Sequence, residues 1–368
     1  MKNWAILLIL FLYSDFALSH KASDSYIYLE NNQGKMEFRL DVAIQDFNPL
    51  FQFDQDYDSH VQWLEIMTLK DNLWEYIIEN VAITSNGMTC LSSIGNIGLS
   101  EYSDGKYLSF ATRLDCPIDN SLDIRYQLLF DVDAQHRGLF QYHSLNGEQA
   151  SYVFSPRDKI LQLDLKNISL FSQLASYFKE GVWHIWEGYD HLLFLFSLLL
   201  PAVLVRQKSH WSAVQDMKSA ILETTKVVTA FTAAHSITLA LVTFGVFAFP
   251  ISIAESIIAF SIIVSALLNV LPQVKVERWV IGFVFGLIHG FGFASVLSDL
   301  TSINDAIFIS LLGFNLGVEF GQLAIVFMIF PLAFYLRRSW FYKNIVLKLG
   351  SYFIATLGLV WFVERAMS

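Results

Sequence analysis

Four ionisable side chains stand within eight residues, near the start of an apolar run that is long enough to cross a lipid bilayer. In the stretch 182–205, VWHIWEGYDHLLFLFSLLLPAVLV, they are His184, Glu187, Asp190 and His191. At about 100° per residue along a continuous helix, all four fall on one face about 120° wide. Imidazole and carboxylate groups suit nickel, cobalt or zinc, so we predict that this face binds a divalent transition metal ion.

Further polar side chains occur inside the later apolar runs. The candidate metal ligands among them are His235, His289 and Glu319. Ionisable groups at such depth are costly and normally face a bundle interior or a water-filled cavity, so we predict that they bind or move an ion. His235 fits an interhelical hydrogen bond equally well, and His184 also fits the headgroup layer. The apolar half contains no cysteine, which excludes a thiolate site.

Six apolar runs reach the roughly 20 residues that a membrane-spanning helix needs. We therefore predict a polytopic α-helical membrane bundle over residues 180–366, preceded by a mainly β domain. The six predicted spans are 182–205, 226–248, 252–271, 279–298, 306–335 and 345–364.

Glycine recurs at every fourth residue in the fourth and fifth predicted spans. Small residues at this spacing let helix backbones approach closely, so we predict tight helix packing here. The two series are Gly282, Gly286 and Gly290, followed by Ala294, and Gly313, Gly317 and Gly321.

Lysine and arginine concentrate in alternate loops between the predicted spans. Because basic loops stay on the cytoplasmic side of a membrane, we predict that the N-terminal domain and the C-terminus lie on the periplasmic side of a bacterial cytoplasmic (inner) membrane. Residues 1–19, MKNWAILLILFLYSDFALS, have the features of a secretory signal peptide and give the same orientation. The basic residues are Arg206, Lys208, Lys218, Lys226, Lys275, Arg278, Arg337, Arg338 and Lys343.

Residues 20–175 are predicted to form the extracytoplasmic domain. Alternation of apolar and polar residues predicts half-buried strands in a small β-sandwich-like fold. Apolar residues at helical spacing predict one inserted helix over 61–80. Cys90 and Cys116 are the only cysteines, and outside the cytoplasm we expect a disulfide between them, with two buried thiols as the alternative. The predicted strands are 25–31, 35–44, 106–114, 122–132 and 159–165.

The stretch DQDYDSHVQWLE, residues 54–65, has the spacing of a calcium-binding loop. Asp54, Asp56 and Asp58 fill positions 1, 3 and 5, His60 and Gln62 fill positions 7 and 9, and Glu65 fills position 12. Ser59 stands at position 6, where glycine normally allows a sharp turn. We predict calcium binding here; the alternative is an acidic loop that caps the following helix.

Composition limits the partners. The net charge of −10 argues against a nucleic-acid partner, which requires a basic surface. No glycine-rich loop followed by Lys and Ser or Thr is present, so no organic cofactor or nucleotide is expected. The expected partners are the lipid bilayer and a divalent metal ion.

Several blocks of the chain resemble the HupE/UreJ family. HIWEGYDH (184–191) has the H-x5-D-H pattern of the family's first span, and the remaining blocks resemble its longer members. The resemblance implies a membrane protein of hydrogenase or urease accessory systems, regarded as a nickel or cobalt permease, with metalloenzyme maturation proteins as possible partners. The remaining blocks are VVTAFTAAHSITLAL, FGLIHGFGFAS, LLGFNLGVEFGQ and, in the outer domain, YQLLFDVDAQHRGLF.

We therefore predict a permease for a divalent transition metal ion, nickel or cobalt. Asp190 and His191 would be the first ligands, His289 and Glu319 would form a deeper station, and His235 would complete it. The alternative is a non-transporting accessory or receptor protein whose outer domain binds calcium or a partner. An enzyme is disfavoured, because the chain has no H-E-x-x-H zinc motif and no recognisable nucleophile elbow.

Overall fold

A computed structural model describes residues 23–32, 35–91, 95–102, 105–117, 121–207, 210–247, 250–271, 277–298 and 305–367. The predicted signal peptide, residues 1–19, lies outside the described residues. The described chain has a mainly β N-terminal region followed by a helical C-terminal region.

The described residues of the N-terminal region form two β-sheets. A six-stranded sheet has the order β5-β6-β2-β1-β8-β9, and a four-stranded sheet has the order β10-β7-β3-β4, with the strands numbered along the chain. The strands are β1 Asp24–Asn32, β2 Lys35–Ala43, β3 Val81–Ser85, β4 Met88–Thr89, β5 Asn96–Tyr102, β6 Gly105–Arg113, β7 Ser121–Tyr126, β8 Arg137–His143, β9 Gln149–Phe154 and β10 Ile160–Asp164.

A hydrophobic core lies between the two sheets, as in the predicted sandwich. Leu40 and Phe110 of the larger sheet and Ile124 of the smaller one belong to this core. The opposite face of the larger sheet is also buried, because Tyr26 and Tyr177 share a second core with the helical region. β1 is therefore covered on both faces, although its alternating sequence predicted a half-buried strand.

Two predictions for this region need correction. The predicted strand 122–132 ends at Tyr126, after which the chain turns and Leu129 takes a positive φ of 60°. The predicted helix 61–80 is two helices, α1 (Trp63–Thr68) and α2 (Lys70–Asn80), because the chain leaves the regular helix at Leu69. Ile66 and Trp74 are buried as the spacing predicted, whereas Trp63 is exposed.

The C-terminal region is helical, with a short β-hairpin after its second helix. The hairpin pairs Leu204–Gln207 with His210–Ala213. A π-helix, Tyr342–Leu349, precedes the last helix. The helices are α3 Leu170–Glu187, α4 Tyr189–Leu199, α5 Met217–Thr243, α6 Ile251–Leu268, α7 Arg278–Ser298, α8 Asp305–Leu336 and α9 Gly350–Met367.

Among the described residues, three helical segments are long and apolar enough to cross a membrane, judged by length and composition. They are Met217–Thr243, Ala306–Leu336 and Tyr342–Met367. Shorter apolar helices occupy Tyr189–Leu199, Ile253–Leu268 and Arg278–Gly292, so the six-span arrangement stays a prediction. The prediction of one continuous helix over 182–205 is wrong: α3 ends at Glu187, α4 ends at Leu199, and a strand begins at Leu204.

Each glycine series lies against another helix. α7 packs on α5, where an added Cβ at Gly286 would come within 2.4 Å of the Phe231 carbonyl oxygen. α8 packs on α3, where an added Cβ at Gly317 would come within 2.1 Å of the Phe178 carbonyl oxygen. Such distances are available only to glycine, so the predicted tight packing occurs between these two helix pairs.

Candidate metal centre

The helix break at Gly188 brings two histidines together. Gly188 leaves the helical conformation with φ −74° and ψ 94°, and α4 starts at the next residue. An added Cβ at Gly188 would lie 2.5 Å from the carbonyl oxygen of His184 and 3.1 Å from Nδ1 of His191. The absence of a side chain therefore lets the His184 and His191 rings approach to 4.6 Å between centroids.

His235 of α5 completes a cluster of three imidazoles. His184, His191 and His235 each offer one ring nitrogen, and these atoms lie within 4.8 Å of one another. His191 and His235 are buried, and the Nε2 atom of each has no hydrogen-bond partner among the described residues. A buried ring nitrogen without a partner is costly unless a ligand binds it.

The orientation of His235 is fixed by Asn315 of α8. The amide nitrogen of Asn315 donates to the carbonyl oxygen of Leu311 at 2.8 Å, which turns its Oδ1 towards Nδ1 of His235 at 3.3 Å. Because an amide oxygen only accepts, Nδ1 of His235 carries the proton. Its Nε2 lone pair is then free for a metal ion, and a hydrogen bond to the other nitrogen is the usual support of a metal-binding histidine.

His289 of α7 lies beside the cluster. Its ring centroid is 4.9 Å from that of His191. The hydroxyl of Ser261 donates to the carbonyl oxygen of Ile258 at 2.6 Å, so Nε2 of His289 donates to Ser261 Oγ at 2.9 Å. Nδ1 of His289 is left as a buried acceptor with no hydrogen-bond partner among the described residues.

The three carboxylates that the sequence proposed as ligands are held by other groups. Glu187 forms ion pairs with Arg137 and Arg157 of the β region. Asp190 Oδ2 accepts from Arg365 Nη2 of α9 at 2.9 Å. In a separate contact, Glu319 accepts from the hydroxyl of Thr229 at 2.7 Å. The predicted single face of a continuous helix does not exist, because the break at Gly188 separates His184 and Glu187 from Asp190 and His191.

The chemistry of the cluster is that of a nitrogen-donor metal site. Neutral imidazoles suit nickel, cobalt, zinc and copper, whereas magnesium and calcium require oxygen ligands.

A sequence model of the HupE / UreJ protein family matches residues 161–365, which include all four histidines. The chain belongs to the HupE/UreJ family. This is a family of membrane accessory and transport proteins associated with nickel or cobalt. No curated protein matches the chain.

The β region of this HupE/UreJ protein carries the acidic loop. Asp54, Asp56 and Asp58 each offer a carboxylate oxygen within 4.8 Å of one another. Ser59 adopts a positive φ of 66°, so the serine takes the left-handed conformation for which glycine is usual at this position.

Glu65 has a capping role in the structure. Its Oε1 accepts from the backbone N–H of Gln55 and its Oε2 from that of Gln62, both at 2.8 Å. The hydrogen bonds from Gln62 and then Gln55 lower the pKa of the Glu65 carboxyl. The Gln62 side chain donates to Asp58 Oδ2 at 3.3 Å, and the backbone N–H of His60 donates to Asp58 Oδ1 at 2.7 Å.

The two cysteines of the HupE/UreJ protein are joined. Cys90 and Cys116 form a disulfide with 4.8 Å between their Cα atoms, and it links the end of the β3–β4 hairpin to the loop after β6. Cys90 is buried in the core between the two sheets.

The arginines around the centre were not predicted from the sequence. Arg137, Arg157 and Arg365 each form an ion pair with one of the proposed carboxylate ligands. Of the three arginines, only Arg365 could have been recognised in the sequence, because it is a charged residue at the end of the last apolar run. An interhelical hydrogen bond of His235 was one of its two predicted roles, but its partner Asn315 was not predicted.

Proposed function

We propose that this protein is a membrane permease for a divalent transition metal ion, nickel or cobalt, that supplies metalloenzyme maturation. The observation that carries the proposal is the convergence of His184, His191 and His235 within 4.8 Å. His289 lies beside His191 and offers a further nitrogen donor. Membership of the HupE/UreJ family supports the same metals.

The charge balance around the centre favours ions that accept neutral nitrogen donors. Glu187 and Asp190 are neutralised by arginines, so the donors that remain are uncharged imidazoles. Hard ions such as magnesium and manganese bind carboxylate and carbonyl oxygens, and such a set of imidazoles binds them weakly. Nickel and cobalt accept imidazole readily.

Polar side chains continue between α5 and α8 beyond the three histidines. Glu319 follows Asn315 by one helical turn and accepts from Thr229 at 2.7 Å. Thr232 donates to Gln322 Oε1 at 3.3 Å between the same helices. Thr232 and Gln322 are buried, whereas the contact between Thr229 and Glu319 is exposed. Buried polar groups in a helix bundle mark ion pathways, which supports movement of the ion rather than binding alone. With no nucleotide-binding motif, the movement would follow a gradient.

We also propose that the helices form six membrane spans with a defined orientation. Arg278 donates to the carbonyl oxygen of Leu204 at 2.7 Å, and Arg337 donates to that of Val214 at 2.8 Å, so both arginines lie at the hairpin end of the helices. The β region contacts the end of α3 beside the histidine centre, through the ion pair between Arg137 and Glu187. The positive-inside rule then makes the hairpin end cytoplasmic and the β region periplasmic, in a bacterial inner membrane.

Vesicle uptake tests the proposed function. The full chain is reconstituted into lipid vesicles, and uptake of labelled nickel and cobalt is compared between the wild type and His191→Ala. The proposal expects uptake by the wild type and its loss in the variant. Equal uptake by both would reject the histidine centre, and no uptake by either would favour the non-transporting accessory protein.

A further inference from the structure

Arg137 ties the β region to the helix that ends beside the histidine centre. It is the first residue of β8 and only 9% exposed. Its Nε donates to Glu180 Oε2 and its Nη2 to Glu187 Oε2, both at 2.8 Å. Its Nη1 donates to the carbonyl oxygens of His136 at 3.0 Å and Ala134 at 3.3 Å. Contacts on both sides therefore fix the guanidinium in one position.

Glu187, the last residue of α3, is held by the β region at three atoms. Its Oε2 accepts from Arg137, and its Oε1 accepts from Nη1 of Arg157. Its backbone oxygen accepts from Nε2 of Gln135 at 3.4 Å. Both carboxylate oxygens thus have charged donors, which form the stronger class of hydrogen bond.

The position of Glu187 makes this restraint chemically important. Glu187 follows His184 by three residues on α3, and residues at that spacing are neighbours on a helix surface. A carboxylate released there would be within reach of an ion bound by the histidines. It would add a negatively charged oxygen donor to a centre that otherwise offers nitrogen.

We propose that Arg137 is a positioning residue that determines the metal selectivity of the centre by holding Glu187 away from it. The inference rests on the proposed function, because it assigns a selectivity to the same centre. With Glu187 held, the donors are imidazoles and the centre favours nickel over manganese. With Glu187 released, the added oxygen donor strengthens manganese binding more than nickel binding.

Competition between nickel and manganese in the purified full chain tests the inference. The test variant carries Arg137→Gln with Glu180→Gln, because Glu180 is 7% exposed and would otherwise be a buried unpaired charge. The ratio of nickel affinity to manganese affinity is expected to fall about tenfold, the lower end of the change in metal affinity that outer-shell residues cause. Adding Glu187→Gln should return the ratio to the wild-type value, which a merely structural role for Arg137 would not do.

Lys179→Gln is the matched control. Lys179 pairs with Asp158 at 2.8 Å in the same interface, and its loss should leave the ratio unchanged. If the test variant does not fold, Arg137→Lys decides, because lysine keeps a positive charge beside Glu180 but lacks the forked donors that also hold Glu187. A smaller fall in the ratio is then expected, and no fall overturns the inference.

The results of these binding experiments distinguish a failure of this inference from a failure of the proposed function. A wild type that binds no nickel overturns both. A wild type that binds nickel, with an unchanged ratio in the folded test variant, overturns the role of Arg137 alone. A lowered ratio that Glu187→Gln fails to restore also overturns it, because the effect would then not pass through Glu187.

Discussion

His184 and His191 face each other across a helix break, with 4.6 Å between their ring centroids. On an uninterrupted helix, the rise per residue would separate these two positions by about 10 Å along the axis. Gly188, rather than a shared helix face, therefore creates this pair of donors. The broken helix is a feature that membrane transporters use to build ion sites near the middle of the bilayer.

Gly188→Ala is expected to weaken nickel binding by about ten- to a hundredfold, the range seen when the support of a metal ligand is lost. The added Cβ would lie 2.5 Å from the carbonyl oxygen of His184, so the backbone must shift and separate the two histidines. Equilibrium dialysis of the purified protein against nickel measures the effect.

Gly98→Ala is the control for that substitution. Gly98 lies in β5, and an added Cβ there meets no atom within 4 Å among the described residues. Its nickel affinity should equal that of the wild type. Wild-type affinity in Gly188→Ala would show that the break does not position the donors.

Asp190→Asn is expected to reduce stability more than nickel affinity. The Asp190 carboxylate pairs with Arg365 at 2.9 Å, and the arginine side chain is 9% exposed. The Asp190 side chain is 24% exposed, so removing it should cost less than the about 3–5 kcal/mol of breaking a fully buried ion pair. Thermal unfolding in detergent should show a lowered midpoint that Arg365→Gln partly restores in the double variant. A folded Asp190→Asn variant that binds no nickel would instead identify Asp190 as a ligand.

His136 should make the β region less stable in acid. It is fully buried, Tyr126 and Ser23 hydrogen-bond its ring at 2.8 and 2.7 Å, and burial lowers its pKa to about 3. An unfolded histidine has a pKa of about 6.5. Between these values only the unfolded state binds the proton, so stability is complete above about pH 6.5 and falls towards pH 3 by about 1.4 kcal/mol per pH unit.

Thermal unfolding of the full chain as a function of pH measures this effect. His136→Gln should flatten the decline between pH 6.5 and pH 4, because the variant has no imidazole to protonate at this position. An equally steep decline in the variant would show that other groups cause the acid sensitivity.

Much of the sandwich could be predicted from the sequence, because period-two alternation reports directly on which face of a strand is buried. β7 alternates exposed and buried residues along its whole length. β8 could not be recognised in this way, because it is buried on both faces between the smaller sheet and the helices. Its burial depends on a partner region that local sequence does not reveal.

The donors of the metal centre could be predicted as residue types, but their pairing could not. His184, His191 and His235 were candidates because imidazole is costly inside an apolar helix. The ion pairs that occupy the carboxylates join residues far apart in the chain: Glu187 to Arg137, and Asp190 to Arg365. Such pairs depend on tertiary packing, and a helical-wheel argument that assumes an unbroken helix misplaces them.

Calcium binding by residues 54–65 stays a prediction. Asp54, Asp56 and Asp58 lie close enough to share an ion, while Glu65 is engaged with backbone N–H groups. Calorimetry of the full chain should show heat at millimolar calcium that Asp56→Asn abolishes, since a single altered loop binds weakly. No heat in the wild type would leave the acidic residues with the capping role alone.

We expect that His184, His191 and His235 together bind a divalent transition metal ion. Nickel binding to the purified full chain tests it most directly when the wild type is compared with His235→Ala and with His143→Ala, a control in β8 outside the cluster. His143→Ala is expected to bind nickel as the wild type does, while His235→Ala loses affinity by at least about tenfold. Equal nickel affinity in all three proteins would contradict it.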